Sequence, residues 1–144
     1  MEPVRFPEDI PGILAIERAS FSEDAYPEEL FYYYVEQTKT IFLVARAGRR
    51  PTGYVIARRD RWGAEIISLA VLPRARKRGI GEKLLTAVIH RFRRQDVRTI
   101  RLMVRVDNAA AIALYRQLGF HPAGHVTGYY EDGSAALKMR RVEP

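Results

Sequence analysis

Leu69-Ala70-Val71-Leu72-Pro73-Arg74-Ala75-Arg76-Lys77-Arg78-Gly79-Ile80-Gly81 is the stretch on which the reading of this chain turns. An apolar run stops at Pro73 and a cationic loop follows. Arg76-x-x-Gly79-x-Gly81 then opens a segment whose Ile80, Leu84, Leu85, Val88, Ile89 and Phe92 fall on one helical face. The first N–H groups of a helix lack intrahelical partners and carry partial positive charge, and glycine lets the backbone approach an anion closely. Strand, basic loop and glycines at a helix start therefore predict a turn that holds a pyrophosphate. Two commoner phosphate motifs do not fit. A dinucleotide fingerprint needs a third glycine where Leu84 stands, and the Gly-Lys-Ser/Thr ending of a P-loop is absent.

Downstream, Thr99 to Val106 alternates Ile100, Leu102, Val104 and Val106 against Arg101, Met103 and Arg105, a strand expected to run parallel to the one before the helix. Asn108 is placed to cap a short helix carrying Ala111, Leu114, Tyr115 and Leu118, which Gly119 ends. Ala123 to Tyr130 and Ser134 to Val142 read as a last hairpin. Upstream, a strand near Pro3 to Phe6 leads to a helix marked by Ile10, Ile13, Leu14 and Ile16, with Pro11 in its first turn. Phe21 to Pro27 breaks the pattern, and Leu30 to Gln37 reads as an aromatic-rich helix. Ile41 to Ala47, Thr52 to Arg59 and Ala64 to Leu72 are three successive strands. The order β-α-α-β-β-β-α-β-α-β-β predicts an α/β (α+β) fold over residues 1–144: a single domain with a mixed, mostly antiparallel seven-stranded sheet and helices on both faces.

At 144 residues and 47% hydrophobic content the chain can bury a substantial core. With no cysteine, disulfides, thiolate catalysis and cysteine-based zinc sites are excluded, and His90, His121 and His125 show no metal-binding spacing, so no metal is expected. No apolar run reaches the roughly 18 residues of a membrane span, and the charged segment Met1 to Asp9 lacks the apolar stretch of a signal peptide. A cytoplasmic protein is expected. The net charge of +7 is compatible with nucleic acid, an anionic cofactor or acidic protein substrates. Arg74, Arg76, Lys77 and Arg78 concentrate part of it at the phosphate turn, while Arg91, Arg93 and Arg94 suit the C-terminal end of a helix.

Arg76-x-x-Gly79-x-Gly81, with Ile67-Ser68-Leu69-Ala70-Val71-Leu72-Pro73 before it and Asn108-x-x-Ala111-x-x-Leu114-Tyr115-x-x-x-Gly119-Phe120 after it, resembles the GNAT superfamily of acetyltransferases. The resemblance covers essentially the whole chain. The segments Val104 to Tyr115 and Gly128 to Gly133 are similar to the branch that acetylates protein N-termini, including ribosomal-protein-alanine and archaeal N-terminal acetyltransferases. It implies acetyl-CoA as cosubstrate, with backbone groups of Leu69, Ala70 and Val71 on the pantetheine and Arg76, Lys77, Arg78, Gly79, Ile80 and Gly81 around the pyrophosphate. Asn108 is implied as a further cofactor contact. Tyr115 matches the family's usual general acid, and it also lies on an apolar stripe, where packing alone would place it.

Many close relatives carry a proton acceptor at the position of Met103, which cannot take a proton. Ala64-Glu65-Ile66-Ile67-Ser68-Leu69-Ala70-Val71 resembles instead the histone-acetyltransferase branch, whose base is the glutamate at the place of Glu65. Strict alternation would set Glu65 on one face with Ile67, Leu69 and Val71. Phe21 and Tyr26 in the segment after the first helix, with Tyr129 and Tyr130 near the last hairpin, resemble the loops that line a peptide groove; Tyr32, Tyr33 and Tyr34 read as helix packing. The expected partners are acetyl-CoA and a protein or peptide N-terminus, with no membrane and no nucleic acid beyond weak ribosome association, in a monomer or homodimer. A small-molecule amine or a lysine side chain as acceptor, and a basic RNA-binding module without catalysis, stay open as alternatives.

Overall fold

The computed structural model describes residues 1–21 and 24–144; Ser22 and Glu23, within the segment after the first helix, lie outside the described residues. The elements follow the expected order: β1 (Glu2–Pro3), α1 (Ile10–Phe21), α2 (Glu28–Glu36), β2 (Thr40–Ala47), β3 (Arg50–Asp60), β4 (Gly63–Val71), α3 (Ile80–Arg94), β5 (Thr99–Arg105), α4 (Ala109–Gln117), β6 (His121–Val126) and β7 (Ala136–Val142). One seven-stranded sheet runs β1-β2-β3-β4-β5-β7-β6, parallel only between β4 and β5. Two ends differ from the sequence reading. β1 stops at Pro3 because the chain turns away there: the Arg5 N–H donates to the Asp9 carboxylate at 2.6 Å. β6 stops at Val126, leaving Tyr129 and Tyr130 in a loop closed by bonds between Tyr130 and Ser134 and between Gly133 and Tyr130.

Helices cover both faces, so the central strands bury both of their sides and read as continuous apolar runs. Ile41, Leu43 and Ala45 of β2 and Val55 and Ala57 of β3 pack with Leu84, Leu85, Val88, Ile89 and Phe92 of α3 and Tyr115 of α4. Phe42, Val44, Tyr54 and Ile56 face the other way, onto Ile10, Ile13 and Ile16 of α1 and Phe31 and Tyr34 of α2. Among the described residues no helix is long and apolar enough to cross a membrane.

β4 breaks the alternation. Ile56 pairs with Ser68 but Ala57 pairs with Ile66, which leaves Ile67 as an inserted residue. Ala64 and Ile66 therefore pack under α3, and beyond the bulge Leu69 does so too, while Ile67 and Ala70 pack under α1. The even alternation expected from Glu65 to Val71 does not hold, because one extra residue flips every later side chain to the opposite face. Glu65 shares its side with Ile67 and not with Leu69.

Candidate active site

β4 and β5 pair only through Ala64↔Ile100 and Glu65↔Arg101, although both strands continue. Beyond that apex they separate, and the edge of β4 toward β5 keeps unpaired backbone N–H and C=O groups that need partners. The opening is a cavity of ≈ 740 Å³ bordered by Ile66 to Leu69 on one strand and Leu102 to Arg105 on the other. Glu17, Phe21, Asp24, Tyr26, Asn108, Tyr115, Tyr129 and Tyr130 also line it. The cavity thus gathers the four candidate substrate-wall residues together with Leu69, Asn108 and Tyr115.

The phosphate turn leaves β4 through a single 3-10 turn, Pro73–Ala75. Lys77 and Gly79 both take positive φ, 65° and 77°, a conformation costly for residues with a Cβ. Gly79 stands at the N-cap of α3 with no side-chain cap, so the first amides of the helix are open to an anion. Gly81 has a different reason: a Cβ there would sit 3.2 Å from the Leu114 side chain, so glycine lets α3 close against α4. Arg76 folds back rather than outward, its guanidinium donating to the Val71 carbonyl at 3.0 Å and to the Ser20 hydroxyl at 3.2 Å. It braces the end of β4 against α1, and Arg74, Lys77 and Arg78 stand exposed beside it on the turn.

Asn108 caps α4, its Oδ1 accepting the Ala111 N–H at 3.1 Å. That cap aims the helix so that Tyr115 enters the cavity, where its ring stands edge-on to Phe120 at 5.8 Å. Burial holds the Tyr115 phenol protonated far above its ordinary range, and Tyr130 adds a smaller push the same way. Among the described residues nothing hydrogen-bonds its hydroxyl. Glu65 sits at the apex, its carboxylate 3.3 Å from the Arg101 guanidinium, outside the residues that line the cavity. It faces the α1 and α2 side, where its charge is felt by Tyr26 and Tyr34.

Two loops form the outer walls, and one residue ties them. Arg105, the last residue of β5, pairs with Asp24 from the segment between α1 and α2 and, at 3.0 Å, with Asp132 from the loop between β6 and β7. Its guanidinium also lies 4.3 Å from the Tyr130 ring centroid. Tyr129 and Tyr130 stack edge to face at 5.0 Å. The Tyr26 hydroxyl donates to the Ile67 carbonyl at 3.4 Å, so this tyrosine bridges the loop to the bulge; burial first, then the neighbouring Tyr129, push its pKa up to about 12.

Glu17 escaped the sequence reading. It is 1% exposed, yet it borders the cavity. Oε2 accepts the Tyr26 N–H at 2.8 Å, Oε1 accepts the Tyr54 hydroxyl and, at 3.5 Å, the Ser68 hydroxyl, and Tyr54 and Ser68 are themselves 2.8 Å apart. None of these partners is a cation. Burial pushes its pKa up, and the hydrogen bonds from Tyr54, Tyr26 and Ser68 only partly offset that. The available signal was its position: with Ile10 and Ile13 it falls on the buried stripe of α1, where a carboxylate has no place without partners.

A sheet parted between two parallel strands, with an open glycine turn at a helix start below the gap and a buried phenol beside it, defines an acyl-CoA-dependent transferase. The comparisons narrow this. Residues 10–120 match the acetyltransferase (GNAT) family, and the chain belongs to it. It is 34% identical to an N-alpha-acetyltransferase of Saccharolobus solfataricus over 93% of this chain and 87% of that one. Ard1 from Thermoplasma volcanium superposes with a TM-score of 0.92 at 28% identity, covering 99% of this chain and 96% of that one. A chain of the NatC complex bound to Gag peptide and CoA superposes at 0.87 with 25% identity over 100% of both chains. The protein is an acetyltransferase that uses acetyl-CoA as its cosubstrate.

Proposed function

We propose that the chain transfers acetyl from acetyl-CoA to the α-amino group of protein or peptide N-termini, by direct attack of the amine on the thioester. One observation carries the reading: the cavity between β4 and β5, whose β4 wall runs on toward the phosphate turn, is bordered by two loops that bring Tyr26, Tyr129 and Tyr130 together. Glu131 stands at that end with no ion pair among the described residues, while Asp24 and Asp132 are held by Arg105, so one acidic group is left to meet a cationic acceptor. Paired tyrosines grip a peptide backbone through hydroxyls and ring faces with little demand on its side chains. The names of the relatives point the same way.

In this mechanism the cofactor lies along the unpaired edge of β4, with the amides of Leu69, Ala70 and Val71 on the pantetheine and the thioester carbonyl. Lys77 to Gly81 hold the pyrophosphate, Arg76 braces the turn, and Asn108 orients the helix beside it. The amine nitrogen attacks the carbonyl carbon, the C–S bond breaks, and Tyr115 gives its proton to the departing thiolate. The amine's proton leaves through water to Glu65 on the α1 side of the apex. That base need not be strong. An α-amine of pKa about 7.8 costs about 1 kcal/mol to deprotonate at pH 7, against about 4.6 for a lysine of pKa about 10.4.

Incubating the protein with acetyl-CoA and a panel of peptides that differ in their first residues, read by mass, tests this. Acetyl on the α-amine of free N-termini is expected. Acetyl only on polyamines or on internal lysines would overturn the reading.

A further inference from the structure

The opposite end of the sheet carries a second concavity that acetyl transfer does not use. It opens where β3 ends, β4 begins and β5 begins, a cavity of ≈ 400 Å³ lined by Lys39, Arg59, Trp62, Arg98 and the neighbouring backbone. From Gly63 at this end to Leu69 at the acetyl site, β4 spans roughly 20 Å, so the two sites are separate.

Trp62 is the chain's single tryptophan, and it is 65% exposed at the tip of the β3–β4 turn. A single exposed aromatic is not unusual by itself; the cations that surround Trp62 single it out. Asp60 explains how it is presented: Oδ1 accepts the Trp62 backbone N–H at 2.9 Å, while the same carboxylate pairs with Arg101. The negative charge nearest the indole is therefore already spent. The Arg61 guanidinium lies 4.4 Å from the ring centroid, and Arg101 stands farther off at 6.0 Å. Among the described residues Lys39, Arg59, Arg61 and Arg98 make no ion pair, and Asp96 is the remaining acid on the rim.

An exposed aromatic ring with unpaired cations around an open hollow suits a single strand: a base stacks on the indole, beside Arg61 or in its place, and phosphates track the charges. An acidic peptide would use the cations and leave the indole idle. We propose that this end of the sheet is a binding site for single-stranded RNA, with Trp62 as the stacking platform and Lys39, Arg59, Arg61 and Arg98 as the phosphate contacts.

Because Trp62 is the only tryptophan, its fluorescence reports the site directly. Titrating a uridine dodecamer into the protein with saturating CoA present should quench that emission to a plateau. With up to four phosphate contacts, log affinity should fall against log salt with a slope of about −3. Followed by anisotropy of a labelled dodecamer, Trp62→Ala should weaken binding roughly tenfold or more. An Arg59→Ala, Arg98→Ala double variant should weaken it and make the salt slope shallower by about 1.4. Both variants should acetylate at the wild-type rate, which also shows that they are folded. The proposal is overturned by an absence of quenching, or by RNA binding that CoA displaces or that both variants keep. Equal affinity for duplex RNA, polyglutamate or anionic vesicles would overturn it as well.

Discussion

Tyr115→Phe removes one oxygen from a side chain that is 7% exposed and leaves the ring in place against Phe120. Among the described residues that hydroxyl bonds to nothing, so its loss orphans no partner and unfolding free energy should change by less than about 1 kcal/mol. Turnover is a different matter if the phenol protonates the leaving thiolate. A positioned general acid contributes about 10²–10⁴-fold. A thiol of pKa about 8.5 is a tolerable leaving group near neutral pH, so the effect belongs at the low end, a fall in kcat of about 100-fold or about 2.7 kcal/mol. The KM for acetyl-CoA should stay within about twofold of wild type, since no contact to the pyrophosphate is touched. Burial keeps Tyr115 protonated across the accessible pH range, so the wild-type profile should show no alkaline fall from its ionisation. Single-turnover acetylation of a peptide, read by mass between about pH 6 and 10, measures all of this. An unchanged single-turnover rate would refute the assignment, and so would a loss confined to acetyl-CoA affinity.

Glu65→Gln should lower kcat near neutrality with little change in stability, because a part-exposed pair with Arg101 contributes at most about 1 kcal/mol; a wild-type kcat would return the proton to another group. Glu17→Gln is tested by urea unfolding against pH. The folded pKa of Glu17 is raised above 4.5, so its contribution is intact below the unfolded value and lost as pH climbs through the folded one. The variant lacks that loss, so its stability minus that of wild type should rise with pH; a flat difference would show that the carboxyl is not strained by burial. Arg105→Met should raise the peptide KM by about tenfold or more and leave the acetyl-CoA KM unchanged, since it frees Asp24, Asp132 and Tyr130 at once. Arg105→Lys should recover only part of this, having no planar fork to share between two carboxylates.

What the sequence made legible was local. The phosphate turn was readable because a left-handed residue before an amphipathic helix demands glycine at Gly79, and Asn108 because a cap and the amide it accepts lie three residues apart. The two-sided burial of the sheet followed from its uninterrupted apolar strands. The bulge was not readable: Ile66 and Ile67 are identical side chains on a run where either could be the extra residue, and only pairing with β3 decides. Nor were the long-range ties. Glu17 meets Tyr54 and Ser68 across 37 and 51 residues, and Arg105 meets Asp24 across 81. No periodicity links such positions, although a carboxylate on the apolar stripe of α1 was a visible anomaly.

β5 presents no proton acceptor to the cleft. Its residues toward α1 and α2 are Arg101, Met103 and Arg105, while Leu102 and Val104 are buried in the opposite core. Arg101 holds Glu65 and Asp60 at the apex; Arg105 holds Asp24 and Asp132 at the mouth. Between these two clamps stands a methionine, a flexible and polarizable surface that adapts to side chains of different shape but accepts no proton. The strand therefore supplies positioning and an apolar floor. Of the carboxylates on β4 and α1, Glu65 is tethered to Arg101 at the apex, outside the cavity lining, and Glu17 is buried with its pKa pushed up. On the proposed mechanism such a site favours an amine that loses its proton readily, a condition that the α-amine of a polypeptide meets at a lower cost than a lysine side chain.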